Sequence, residues 1–367
     1  MSRAVILAWV LSVGSALRKS QAKTLAELVA AAVPTQRLSL ANLGRAMAGP
    51  ARCKHKVKRA ARFIANRRVT VADGMAGLIA RLTRGRREPL AVALDWVEVR
   101  AFHTLVAAAV ADGRSVPLLW ASYPEWQLHK SQNNLEEGLI RLLRSLVPDR
   151  VRIILLADRG FGRAELARTL AGMVNVSFVI RVQPKVVVRH PRFTGKLIDY
   201  PVKKGMRRVL RGARFRAKDP VTVNVVVRWK KGLPEHRDGP WFLITDLSKA
   251  SAVRLTELYG KRMGIEEFFR DGKSVRNGFA LRHTQVSTAA RFDRLMLVVA
   301  LAYWLLTGLG LRALAEHRPG AWSSTNRGKP CSAAVAGRAV RSWFRLPPAA
   351  AMAAIVTATI KAAPKWG

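Results

Sequence analysis

The sequence predicts an α/β fold: a mixed β-sheet with helices, preceded by a helical N-terminal region and interrupted by a β-rich insertion. Three observations carry that expectation. Residues 1–85 are helix-forming and hold no β-type run. From Pro89 onward, β-type apolar runs alternate with amphipathic segments of helical length. From about Gln183 to Gly239 the chain is basic and β-branched, and helix-forming sequence dominates after it.

In the N-terminal region, Thr24 to Val33 is rich in alanine and leucine. Ser39 can cap a helix running through Met47, its hydroxyl accepting from an otherwise orphaned N–H. Pro50 interrupts, and a basic helix is expected from about Ala51 to Asn66. Short helices joined by small turns fit a helix-turn-helix or a plain helical bundle.

Leu90 to Val99 and Phe102 to Ala111 read as strands, and Asp112-Gly113 offers a hairpin turn before Val116 to Trp120. A helix follows, with Asn133 or Asn134 as its cap, Glu136 and Glu137 in its first turn and leucines at helical spacing to Leu146. Val151 to Ala157 is apolar apart from Arg152, as expected of a strand buried on both faces. A helix from about Arg163 to Ala171 then leads to a strand at Val176 to Val182. Strand-strand-strand-helix-strand-helix-strand is the order of a ribonuclease-H-like domain, an analogy of fold that proves no activity. Val221 to Trp229 belongs to the insertion, and Trp241 to Thr245 is its last strand or the return to the main domain.

Sixty-four Lys and Arg against 23 Asp and Glu give a net charge of +41, which speaks to partners and not to fold. One acid-free run holds Lys54, Lys56, Lys58, Arg59 and Arg62; a second holds Lys203, Lys204, Arg207, Arg208, Arg211 and Arg214. Such runs, with an acid-free stretch after Glu316, favour nucleic acid as the partner. The two cysteines, Cys53 and Cys331, are far apart, which excludes a disulfide framework and a cysteine-based zinc site. A reducing cytoplasm fits. Ala4 to Leu17 lacks the flanks of a signal peptide, and a buried core helix explains Leu295 to Leu311, so no membrane partner is expected.

Two aspartates stand where strands give out: Asp95 after Ala-Val-Ala-Leu, and Asp158 after Ile-Ile-Leu-Leu-Ala. Singly, each could be a cap or a salt-bridge partner. Paired on neighbouring central strands, they are candidate ligands for a divalent metal. Further on, Tyr259, Arg262, Glu266 and Lys273 fall at i, i+3, i+7 and i+14, within about 60° of one another on one helical face, with Glu267 about 100° away. An ordinary salt bridge between Arg262 and Glu266 is the plainer reading of the same spacing.

Tyr-x2-Arg-x3-Glu-x6-Lys resembles the Y-R-E-K signature of a class of bacterial insertion-sequence transposases that includes the insertion-sequence-four-like family. Ala157-Asp158-Arg159-Gly160-Phe161 looks like the second-aspartate motif of that class, and the Asp95 strand its first. The resemblance covers about Pro89 to Leu306. It implies a DDE enzyme that cleaves element ends and joins them to target DNA, with Asp95, Asp158 and Glu266 holding two Mg2+ ions for which Mn2+ can substitute. Arg262, Lys273 and Tyr259 would contact DNA phosphates, and Lys54, Lys56, Lys58, Arg59 and Arg62 would bind DNA from the N-terminal region. The partners implied are double-stranded DNA, as terminal inverted repeats and target, and a second copy of the chain in a synaptic homodimer. Met263 departs from the pattern, because many members carry Trp there. Trp229 and Trp241 are stacking candidates for hairpin chemistry or simply core residues.

The expected divisions are 1–85 for the DNA-binding region, 86–182 and 240–318 for the two parts of the catalytic domain, 183–239 for the insertion and 319–367 for the tail. A nuclease of the same fold that does not join strands would need the same carboxylates. A non-catalytic basic protein leaves the placed carboxylates unexplained.

Overall fold

The computed structural model describes residues 3–35, 38–111, 114–129, 131–229, 239–275 and 278–316. The Asp112-Gly113 turn, residues 230–238 of the insertion and the tail 319–367 lie outside the described residues. The described chain divides into two compact units: 3–86, 96–148 and 264–316 form the first, 87–95 and 149–263 the second.

The first unit opens with helices α1 (Arg3–Val13), α2 (Lys19–Ala32), α3 (Leu40–Ala46), α4 (Cys53–Ala65) and α5 (Val71–Thr83). Ser39 caps α3 as expected, its Oγ accepting from Asn42 N at 3.1 Å, and Thr70 caps α5 in the same way. Helix α1 buries Ile6, Trp9, Val10 and Val13 and packs on α2 and α5, so its apolar character belongs to a core. Gly44 lets α3 approach α4 closely: a Cβ there would lie 2.4 Å from a Val57 methyl and 2.7 Å from its Cα.

Strand β1 (Leu90–Val99) starts in the second unit and ends in the first, where β2 (Phe102–Ala111) and β3 (Arg114–Pro124) continue the sheet in the order β3-β2-β1. The strands expected at 90–99 and 102–111 are observed with those limits, and β3 runs longer at both ends than 116–120. After the short α6 (Glu125–Leu128) comes α7 (Gln132–Leu146). Asn133 and Asn134 are not its cap; Ser131 takes that position without a side-chain capping bond. The helix starts earlier than the asparagines suggest, which moves Glu136 inward. There it is 1% exposed and accepts from Trp96 Nε1 at 2.8 Å and Gln132 Nε2 at 3.2 Å. A buried carboxylate keeps its place only with such donors.

Helix α10 (Gly264–Lys273) and the long α11 (Ala289–Glu316) complete the first unit. By length and composition α11 could cross a membrane, yet 94% of its most apolar window is buried, against α2, α4, α5 and β3. It is the hub of this core. Trp304 Nε1 donates to Pro117 O at 2.7 Å and the Arg294 side chain to Ile64 O, so these two side chains are satisfied within the packing.

One carboxyl on α11 is not. Asp293 Oδ2 accepts from Ser122 N at 3.3 Å, but Oδ1 is buried with no hydrogen-bond partner among the described residues. Burial pushes this carboxyl up to about 7, against the Ser122 bonds and the Arg294 charge, which pull it down. Because the folded value is raised, the fold favours the protonated form. The stability this confers is complete below the unfolded value and is lost as pH climbs to about 7 and beyond. A shift of about 3 units corresponds to at most about 4 kcal/mol. Asp293→Asn should therefore melt increasingly higher than the native chain as pH rises from about 4 to about 8. Parallel melting curves for the two proteins across that window would overturn this account.

In the second unit the sheet order is β1-β4-β5-β10-β9-β8-β6-β7, with β4 (Ile153–Ala157), β5 (Val176–Arg181), β6 (Val187–His190), β7 (Phe193–Lys196), β8 (Arg207–Phe215), β9 (Val221–Arg228) and β10 (Trp241–Thr245). β1, β4 and β5 are mutually parallel, and the later strands pair antiparallel. Helices α8 (Ala164–Ala171) and α9 (Ala252–Gly260) pack against β5 and β9. The element order expected of a ribonuclease-H-like domain is present, and the basic insertion extends the same sheet through β6 to β9.

Candidate active site

The register of the parallel strands fixes the two aspartates. Leu94 of β1 pairs with Ala157 of β4, so Asp95 and Asp158 follow side by side on strands about 4.8 Å apart. Ala157 in turn pairs with Ile180 of β5, which puts Arg181 next in the same row. The paired residues 90–94 and 153–157 are buried, whereas Asp158, just past β4, and Asp95 are half-buried; β1 does not give out at Asp95 as expected but runs on to Val99, and only its pairing with β4 stops there. That is where a carboxylate escapes most of the desolvation a central strand would impose.

Each aspartate is held differently. Asp158 opens a tight turn, its Oδ1 accepting from Gly160 N at 2.9 Å, and Oδ2 has no hydrogen-bond partner among the described residues. Asp95 Oδ2 is paired with Arg262 Nη1 at 2.9 Å, and the Arg262 side chain is only 8% exposed. Tyr259 is buried beside Arg262, and its ring meets Trp241 edge-on at 5.2 Å. Burial raises the Tyr259 hydroxyl above its ordinary value, opposed by the Arg262 and Arg181 charges. Arg181 lies over the Trp241 ring at 5.9 Å. Trp241 is thus part of this packed cluster, while Trp126, on α6, stands 75% exposed.

The segment carrying Tyr259, Arg262, Glu266 and Lys273 is not one α-helix. α9 ends at Gly260, a 3-10 turn covers Lys261–Met263, and α10 begins at Gly264. Three residues at about 120° instead of 100° advance the phase by about 60°, so the single face expected from the spacing is broken. Gly260 and Gly264 flank the turn. Tyr259 and Arg262 fall in the second unit, Glu266 and Lys273 in the first. Glu266 is exposed on α10. Its neighbour Glu267 is bound to Arg114 at 2.8 Å and to Arg270 at 2.8 Å, which marks it as an anchor of that helix. Lys273 is half-buried; burial and then the Arg282 charge push its ammonium down, against Glu98.

Residues 87–305 match the family model described as the transposase DDE domain. The chain belongs to the DDE transposase family. No curated protein matches it. Membership makes it a DNA-binding enzyme of the polynucleotidyl-transferase kind, from a family that works with divalent metal ions.

The donor set suits such ions. Asp95 and Asp158 supply hard carboxylate oxygens from neighbouring strands, and one Asp158 oxygen makes no other bond among the described residues. No three Asp, Glu, His or Cys side chains among the described residues gather into a ready-made metal site. Arg181 was missed in the sequence, although it ends an apolar run just as Asp158 does. The basic α4 offers Lys54, Lys58, Arg59 and Arg62 on its exposed surface, with Lys56 half-buried, and buries Ala60, Phe63 and Ile64. One helix thus presents a cationic face to solvent while its apolar face anchors it.

Proposed function

We propose that this DDE transposase belongs to the Y-R-E-K class, in the insertion-sequence-four-like family. It cleaves at the 3′ ends of its element and joins the freed hydroxyls to target DNA. The observation that carries the reading is the placement of Asp95 and Asp158 side by side, each directly after the last paired residue of two parallel strands. They precede a Tyr259, Arg262, Glu266 and Lys273 set at the spacing of that class.

Asp95, Asp158 and Glu266 would hold two Mg2+ ions, with Mn2+ able to substitute. When bound, such a pair activates the attacking oxygen and stabilises the leaving one. Arg262 orients Asp95 through its ion pair, and its remaining N–H donors serve Tyr259 and a backbone phosphate. Lys273 adds a point charge toward phosphate. Residues 1–85 read the terminal repeats, with Lys54, Lys56, Lys58, Arg59 and Arg62 supplying sequence-independent affinity. The two catalytic segments are 86–182 and 240–318, with the insertion 183–239 between them. Cutting two ends in concert calls for a homodimer on DNA, acting at the nucleoid in the bacterial cytoplasm.

The test is incubation of the native protein and Mg2+ with linear DNA bearing the element's own ends. Expected are metal-dependent nicks leaving 3′ hydroxyls, followed by products joined to a second DNA. Cutting without joined product would make the protein a nuclease of the same fold, and absence of metal-dependent cutting would overturn the reading.

A further inference from the structure

The parallel strands have a second end. Arg152 precedes β4, Asn175 precedes β5, and Asp246 follows the antiparallel β10, so all three stand at the edge opposite Asp158 and Arg181. Five residues of β4 separate the two edges, about 17 Å at the usual strand rise. At this far edge is a pocket of about 890 Å³, lined among others by Arg152, Ser177, Asp246, Lys249, Ser251 and Arg254. It lies wholly within the second unit.

The pocket is built and braced. Arg152 O accepts from Leu90 N at 2.7 Å, and Ile153 N donates to Asn175 O at 2.9 Å. Asn175 takes the left-handed conformation (φ 53°), which asparagine tolerates, and its side chain bonds Asp149 O at 2.6 Å. Asp246 forms the floor. Its Oδ1 accepts from Phe178 N at 2.9 Å, and burial raises its carboxyl against that bond, the Ser177 hydroxyl and the Arg152 charge. The following loop is pinned by Asn224 Nδ2 to Leu247 O at 3.2 Å and by Leu247 N to Thr245 Oγ1 at 3.1 Å. Ser251 then caps α9 by accepting from Arg254 N at 3.2 Å.

Around this floor stand three cations, Arg152, Lys249 and Arg254, against the single acid Asp246. Arg152 and Lys249 are exposed, Arg254 half-buried. Ser and Asn donors on a fixed backbone, with excess positive charge, form a receptor for a phosphate group. We infer that this pocket is a second DNA-backbone site, holding phosphates at the sheet edge away from the reacting strand. The inference rests on the DNA-joining reading above, which the cleavage and joining assay tests by itself.

The experiment compares three metal-free proteins binding a duplex without end sequences, over a salt series. They are the native chain, Arg152→Gln/Lys249→Gln, and Arg141→Gln/Arg291→Gln, the last removing equal charge from exposed positions on α7 and α11, outside the N-terminal DNA-binding region. Each lost phosphate contact lowers the slope of log affinity against log salt by about 0.9, so the pocket variant should lose about 1.8. Over an about fourfold rise in salt that is an about tenfold difference in how much affinity is lost. The α7/α11 variant should lose less than half as much slope. Equal slope changes in the two variants, or none in the pocket variant, would overturn the proposal. A free nucleotide is the other source of the same phosphate chemistry. Thermal stabilisation by deoxyadenosine monophosphate in the native chain but not in the pocket variant, with unchanged salt slopes, would assign the pocket to nucleotide and overturn the DNA-backbone form. Loss of slope with joining intact in the native protein supports it.

Discussion

Asp158→Ala should abolish both cleavage and joining, by at least about a thousandfold, while leaving the thermal midpoint nearly unchanged. The loss follows from removing a carboxylate proposed to hold a metal ion at the reacting phosphate; about 4 kcal/mol of transition-state stabilisation is already a factor of a thousand. The small effect on stability follows from the local structure. Asp158 is half-buried, its carboxylate accepts from the N–H of Gly160 in an exposed turn, and no buried cation among the described residues is paired with it. Asp95→Ala should lose the same activity and stability as well, because it strips the partner from the nearly buried Arg262, a cost of about 1–3 kcal/mol. Glu266→Ala, at an exposed position on α10, should resemble Asp158→Ala. Glu257, exposed on α9, is the control whose replacement should leave both readouts unchanged. Activity measured with melting curves thus separates the roles that a simple carboxylate count would merge. Retained cleavage in Asp158→Ala would sink the assignment of that residue.

The reason these aspartates were legible is that period-two and continuous apolar runs end abruptly at a charge. For β4 that charge marks the strand end; β1 runs on to Val99, and there Asp95 marks where the pairing with β4 stops. The strands at 90–99, 102–111 and 241–245 were readable for the same reason. The helix-start signal at Asn133 misled because Ser, Asn and Gln cluster there, and the burial of Glu136 that sets the true start is a tertiary fact. The broken phase between Tyr259 and Glu266 was hidden because spacing arguments assume one helical period, and a 3-10 turn between two glycines changes it without any apolar signature. Arg181 went unnoticed because a terminal arginine in a chain this basic carries no contrast. The pocket at the opposite sheet edge joins residues 152, 175–177 and 246–254, a grouping no local pattern announces.

Arg114→Met should cost about 3–5 kcal/mol at neutral pH, the largest stability effect expected of a single polar residue in the first unit. Arg114 opens β3 with its side chain 12% exposed, pairs with Glu267 at 2.8 Å and lies 3.5 Å from Asp271. Asp271 in turn accepts from the hydroxyl of the fully buried Tyr303 at 3.1 Å. Burial already raises the Asp271 carboxyl, and Arg114 is the first of the forces holding it down. Without that cation Asp271 loses its main counter-charge and sits beside Glu267, which keeps Arg270, and Asp271 shifts further upward. The variant's deficit should therefore be largest above pH 7 and shrink as pH falls and Asp271 takes up a proton. Asp271→Asn added to Arg114→Met should recover much of the loss, since the remaining pair is then one carboxylate and a neutral amide. Urea midpoints at about pH 5.5 and about pH 8 measure this directly; a deficit independent of pH would mean that lost packing, not stranded charge, is the cause. The consequence reaches the chemistry through α10. Gly264 packs so closely on this strand that a Cβ would lie 2.7 Å from the Arg114 carbonyl carbon. Glu267 and Asp271 thus tie to β3 the helix that carries Glu266, and the partially rescued double variant should regain DNA joining in proportion to its regained stability.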